Sequence, residues 1–230
     1  MKKTIYLCTV FLIVLLCSVP VFAENHGFNI EVPQSFDGIY KEEISDVFAK
    51  KVNMTKPELE DYFGKNNIVF LAVGDGNKSQ VRVSVFEDDF SKNTENLSVY
   101  SDKDVKKLGK QLVNDTSLSF KLYTENEKKY IMITENSKDS GGEFTATQFI
   151  TVANGKIYNI SFLNSGKEFD SSNLKILKSF NINDQSEPSK IPVLVTIIIA
   201  VGIAGLSAVI IFMILGINKD RKAIKEIEED

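Results

Sequence analysis

Apolar and polar residues alternate over residues 28–32 and stop at Pro33, which predicts a half-buried first strand. Residues 39–44 predict a second strand, interrupted by Lys41, Glu42 and Glu43. Thr55-Lys56-Pro57-Glu58 then combines an N-cap, a first-turn proline and a capping-box glutamate, so a helix is expected from there to Gly64. Residues 67–73 and 80–86 are apolar-rich and joined by Gly74-Asp75-Gly76-Asn77, the composition of a hairpin turn. After a polar loop, Ser101-Asp102-Lys103-Asp104 opens a second helix in which Val105, Leu108, Leu112 and Val113 recur at helical spacing. A second hairpin spans residues 117–123 and 129–134. A third spans 144–152 and 156–162 around Asn154-Gly155, residues that tolerate the positive φ of a type I′ turn; it places Phe162 in the core. Ser171-Ser172-Asn173 opens a third helix carrying Leu174, Ile176 and Leu177, followed by Phe180 and Ile182. Hairpin-joined strands broken by three helices predict an α+β domain, an antiparallel β-sheet with helices packed on it.

Two longer apolar runs bracket this domain. Residues 5–19 follow Lys2-Lys3 and lead into Val21-Phe22-Ala23, the pattern of a signal peptide cleaved before Glu24. Residues 193–217 carry no charge, and at helical rise they extend roughly 37 Å against a hydrocarbon core of about 30 Å. Lys219, Arg221, Lys222 and Lys225 follow at once and place the C-terminus in the cytoplasm. The expected organisation is a signal peptide at 1–23, an extracellular α+β domain at 24–183, a tether at 184–192, a transmembrane helix at 193–217 and a cytoplasmic tail at 218–230. The expected location is the cell membrane, single-pass, with the N-terminal domain outside.

Composition narrows the chemistry. Residues 24–190 hold 21 basic and 26 acidic side chains, interspersed, so neither nucleic acid nor an anionic lipid surface is an expected partner. Both cysteines, Cys8 and Cys17, fall in the leader, and the mature domain must stand on its core without a disulfide. Cys17 also has a reading as a lipidated cysteine, against which Leu16 stands where that signal wants a small residue. Sequons at Asn53, Asn77, Asn96, Asn114 and Asn159 read as chance patterns in an Asn-, Ser- and Thr-rich chain, or as glycan acceptors if the protein is eukaryotic.

The opening Phe28, Ile30, Val32 and Pro33, and the close in which Asn154-Gly155-Lys156 leads to Tyr158, Ile160 and Phe162 and then a helix with Ser179-Phe180, resemble the PsbP/DcrB-like superfamily. Thr55-Lys56-Pro57-Glu58 leading into residues 66–71 is similar to a membrane-anchored branch of such domains in Gram-positive bacteria. The resemblance implies an antiparallel sheet sandwiched by helices and carries no catalytic residue.

Candidate chemistry is sparse. His26 is the sole histidine and stands three residues into the expected mature chain, with no cysteine to share a metal. Asp75-Gly76-Asn77-Lys78-Ser79 resembles the start of a calcium loop, but Gln80 and Phe86 occupy positions that demand glycine and glutamate, and a hairpin turn explains it better. Glu87-Asp88-Asp89 and Asp102 with Asp104 read as a weak calcium cluster, or as a strand end and a helix N-terminus. The 16 Phe and 7 Tyr fall mostly at alternating strand positions, where they build core. Ala200, Ala204 and Ala208 recur every four residues in the apolar run, either ordinary membrane composition or a weak homodimer seam.

The expected function is therefore a non-catalytic, surface-displayed binding or scaffold module serving an envelope protein partner, with no metal, cofactor or catalytic residue assigned. Two alternatives stay open: an envelope hydrolase with a Ser/Lys site, marked by a cleft gathering hydroxyl, amine and carboxylate, and a small-molecule-binding sensor or transport accessory, marked by a deep apolar pocket.

Overall fold

The computed structural model describes residues 27–183, apart from 75, 77, 114–117, 140–141 and 166–168. The expected leader, tether, transmembrane helix and tail, with Cys8, Cys17, His26, Ala200, Ala204 and Ala208, lie outside the described residues. Among the described residues nine strands run in chain order as β1 (Phe28–Asn29), β2 (Phe36–Tyr40), β3 (Ile68–Gly74), β4 (Ser79–Phe86), β5 (Ser119–Glu125), β6 (Lys128–Asp139), β7 (Gly142–Ala153), β8 (Lys156–Ser165) and β9 (Asn181–Ile182). Five α-helices among the described residues intervene: α1 (Asp46–Lys51), α2 (Lys56–Lys65), α3 (Asp89–Thr94), α4 (Asp102–Leu112) and α5 (Ser171–Ser179). Seven strands form one antiparallel sheet in the order β2-β3-β4-β8-β7-β6-β5, and β1 pairs β9 in a separate two-stranded ribbon. The fold is α+β, as the hairpin pattern predicts.

Local chemistry explains the elements that the sequence announces. Thr55 caps α2 in a full capping box, with Glu58 Oε2 accepting from the Thr55 N–H at 2.8 Å. Asn154 and Gly155 hold φ of 52° and 71° between β7 and β8, and Asn126 and Glu127 hold 49° and 63° between β5 and β6. Both are two-residue turns with φ positive at each centre, the twist that antiparallel partners need.

Several boundaries differ from expectation, each for a physical reason. The predicted first strand keeps its alternation, with Phe28 and Ile30 buried, but only two residues pair because β9 offers only two. The second strand sits earlier than 39–44: Lys41–Glu43 form an exposed turn of 3-10 helix, which carries Ile44 back to the core. Helix α1 is unannounced; at six residues it is too short to show a period, and only the Ser45 cap, accepting from Phe48 N at 3.3 Å, marks it. The expected polar loop contains α3, capped by Asp88, whose Oδ1 accepts from Ser91 N at 2.7 Å. The third predicted helix opens at Ser171 as expected, with Asp170 as its cap.

Strand alternation sends side chains to two differently covered faces. On one, α5 and the β1–β9 ribbon cover an aromatic core in which Phe149 meets Tyr123, Tyr130, Phe162 and Phe169 at ring-centroid distances of 5.2–6.1 Å. On the other, α1 and α2 cover one apolar cluster around Leu59, Phe63 and Leu71, while α3 and α4 cover a second around Val105, Ile131 and Ile150. Helix α4 lies so near β5 that a Cβ built at Gly109 would run into the Phe120 ring. Gly109→Ala therefore sets a helix-propensity gain of about 1 kcal/mol against an overpacking cost of about 1–3 kcal/mol. A net loss is expected in denaturant melts of the parent, turning to a gain in a Phe120→Ala background. A stabilising Gly109→Ala in the parent would show that the helix is not held that close.

Candidate functional site

Central strands covered on both faces ordinarily read as continuous apolar runs. Here β4, β8 and β7, the middle of the sheet, carry polar side chains toward the helix-covered face between the two apolar clusters. One row crosses all seven strands as Ile39, Leu71, Arg82, Ser161, Gln148, Ile133 and Phe120. The next row sets Ser84 beside Asn159 and Asn159 beside Ile150. Arg82 is 3% exposed, Ser84 1%, Gln148 1% and Asn159 3%.

Three of these groups are linked, while Arg82 turns to α2. Asn159 Nδ2 donates to Gln148 Oε1 at 2.6 Å, and Ser161 Oγ donates to Asn159 Oδ1 at 3.2 Å. Arg82 Nη1 donates to the Tyr62 hydroxyl of α2 at 3.4 Å. The Ser84 hydroxyl is buried without a hydrogen-bond partner among the described residues, a position that costs about 1–3 kcal/mol unless something bonds it. Beside this row, an apolar cleft opens between α3 and α4, with Phe90 and Leu97 on one wall, Leu108 and Leu112 on the other, and Ile131 and Ile150 on the floor. Its free space is about 360 Å3 including the open mouth. The sequence reading missed this row. The alternation in β4 resembles that of a strand with one wet face, and only its place at the centre of the sheet makes Gln80, Arg82 and Ser84 buried.

The residues singled out by sequence are committed to structure. Gln80 and Phe86 lie within β4, so the calcium-like segment is a strand entered from a turn; Asp75 and Asn77 lie outside the described residues. Glu87 pairs with Lys156 at 3.3 Å, Asp88 caps α3, and Asp104 accepts from the α4 cap Ser101 Oγ at 2.6 Å. Among the described residues no three His, Cys, Asp or Glu side chains gather as a metal site. Ser98 and Lys129 are neighbours, but Ser98 Oγ accepts the Lys129 backbone N–H at 3.1 Å, while Lys129 Nζ donates to the Tyr100 carbonyl at 2.7 Å and pairs with Asp102 at 2.8 Å. Of the sequons, Asn96 Oδ1 accepts from Ser98 N, and Asn159 is buried mid-sheet, where a glycan cannot coexist with the fold. Asn53 is exposed; Asn77 and Asn114 lie outside the described residues.

Burial sets the acid–base character of the aromatic face. It pushes Tyr40 up to about 12, with Glu43 adding to the shift, and Tyr123 up to about 12, with help from the Glu125 carboxylate that accepts its hydroxyl. Both hydroxyls stay protonated near neutral pH. At Asp102 the sign is reversed: the hydrogen bond and charge of Lys129 hold its carboxyl below the ordinary value of 3.8. Because its folded value is depressed, the stabilisation it gives is whole above about 3.8 and drains away as the pH falls below it. Asp102→Asn should therefore lose less of its urea midpoint between pH 5 and pH 3 than the parent does. An equal loss would show that the pair does not persist in solution.

No family model matches the sequence, and no curated protein matches it. Among solved structures the chain is similar to a crystal structure from Bacteroides thetaiotaomicron VPI-5482, at 14% identity and a TM-score of 0.42, over 70% of this chain and 47% of that one. The chain thus spans about half the length of that protein. It is also similar to the solution structure of cyanobacterial PsbP (CyanoP) from Synechocystis sp. PCC 6803, at 13% identity and a TM-score of 0.31, over 68% of this chain and 86% of that one.

Proposed function

We propose that this chain is a non-catalytic binding or scaffold module, displayed outside a cell membrane on a single C-terminal helix and serving an envelope protein partner. The observation that carries this reading is the commitment of the charged and hydroxyl groups: Lys129, Asp102, Asp88, Asp104 and Ser98 hold helix caps and loops in place rather than converging on open space. The anchoring rests on the apolar run 193–217 and the cationic cluster after it. We read the folded unit as PsbP/DcrB-like, of the membrane-anchored Gram-positive branch, on the strength of the Phe28–Ile30 opening and the Asn154-Gly155 hairpin.

Protease added to intact cells or spheroplasts should remove the domain and leave a small membrane fragment, and crosslinking in the native membrane should trap one discrete envelope protein. A fully protected domain would overturn the orientation. Turnover of an ester or peptide by the purified chain would favour the hydrolase instead.

A second reading, a small-molecule-binding accessory domain, draws on the apolar cleft with the unpartnered Ser84 hydroxyl in the sheet beside it. Ligand pockets usually offer about 300–1,000 Å3, a range that this cleft reaches only when its open mouth is counted. This reading therefore requires α4 to move away from the sheet.

A further inference from the structure

The first and last described segments leave the folded unit at one point. Asn183 donates its backbone N–H to the Gly27 carbonyl at 2.9 Å, and Asn29 Nδ2 donates to Asn183 Oδ1 at 2.9 Å. Two hairpin turns are tied to the same end. Asn154 Nδ2 donates to the Asn183 carbonyl at 3.2 Å, Asn126 Nδ2 to the Lys178 carbonyl at 3.3 Å, and Lys128 Nζ to Asn181 Oδ1 at 2.8 Å. Strand β8 leaves this end at Lys156 and finishes at Ser165, whose N–H donates to the Lys78 carbonyl in the β3–β4 turn at 2.9 Å. A strand of this length separates the two ends by roughly 30 Å.

The apolar run begins at Val193, and the intervening residues 184–192, fully extended, reach at most about 30 Å. We infer that the domain stands on its membrane by the end that carries both its termini. The Asn126–Glu127 and Asn154–Gly155 turns, with Lys178 and Lys92 beside them, face the lipid headgroups, and the β3–β4 turn around Lys78 projects away to where a partner reaches it. The inference rests on the anchored reading above. Its occupant is the headgroup layer of the chain's own bilayer, held near by the short tether and not by charge. Lys156 pairs with Glu87 at 3.3 Å and Lys178 with Glu125 at 3.8 Å, so two of the lysines at this end are already matched by carboxylates.

The test places single cysteines in the full chain, in a Cys8→Ser, Cys17→Ser background, and reconstitutes it in phosphatidylcholine vesicles containing a headgroup-labelled acceptor lipid. A donor dye on Lys178→Cys or Lys92→Cys should transfer severalfold more energy than one on Lys78→Cys, as a ~30 Å separation of the ends requires. High salt should leave the difference in place, because a tether is not screened. Equal transfer, or more at position 78, in chains that resist alkaline carbonate extraction overturns the inference alone. A chain that carbonate strips from the vesicles overturns the anchored reading and this one with it.

Discussion

Replacing Phe162 by alanine is expected to cost about 3–5 kcal/mol, the range for removing a fully buried ring from a packed core. The ring is 0% exposed and meets Phe149 at 5.9 Å and Phe169 at 5.1 Å, edge to face in both cases. Edge-to-face pairs add about 0.5–1.5 kcal/mol each beyond the area they bury, so the upper half of the range is expected. Urea unfolding of the folded domain reads the change directly. A loss below about 1 kcal/mol would place this face of β8 in solvent, and every register drawn through Phe162 would be wrong with it.

Asn159→Leu is expected to be comparably damaging for an opposite reason. Leucine nearly conserves volume, so little cavity forms, but Gln148 Oε1 loses its donor and Ser161 Oγ its acceptor. Two buried polar groups left unsatisfied cost about 1–3 kcal/mol each, giving a loss of about 2–6 kcal/mol. Adding Gln148→Leu removes one orphan, and the double variant should regain at least half of that loss, since replacing both partners of a buried bond is far less costly than replacing one. Additive losses in the double-mutant cycle would show that the two amides do not depend on each other. If the double variant also loses a crosslinked partner while remaining folded, the polar row contributes to recognition as well as to architecture.

The contrast between these two residues explains how far the sequence could be read. Phe162 sits at an apolar position of a strand that begins at an Asn-Gly turn, so period, turn chemistry and burial agree. Thr55 and Ser101 announce their helices for the same reason, because each cap is a local bond closed within three residues. Asn159 gave the opposite signal. Its burial depends on which strands flank β8 and which helices lie above them, contacts set by residues far along the chain. Helices α1 and α3 were hidden by length, since six residues make less than two turns and cannot display a period. The polar row of the candidate site falls entirely in this non-local category, whereas Glu87, Asp88, Asp102 and Asp104, which did stand out in sequence, proved to be engaged in caps and ion pairs.

The pairing of Phe28 with Ile182 also has a consequence in time. Closing a loop of about 150 residues costs on the order of 4 kcal/mol in chain entropy, and a ribbon of two residues returns little of that by itself. It can form only after the sheet and α5 have brought its halves together. A chain emerging vectorially through a membrane would expose Phe28 and Ile30 first and satisfy them last, holding the aromatic side of the sheet open throughout synthesis. That interval is when a chaperone or a misfolded contact would find this protein, and ribbon closure marks its end.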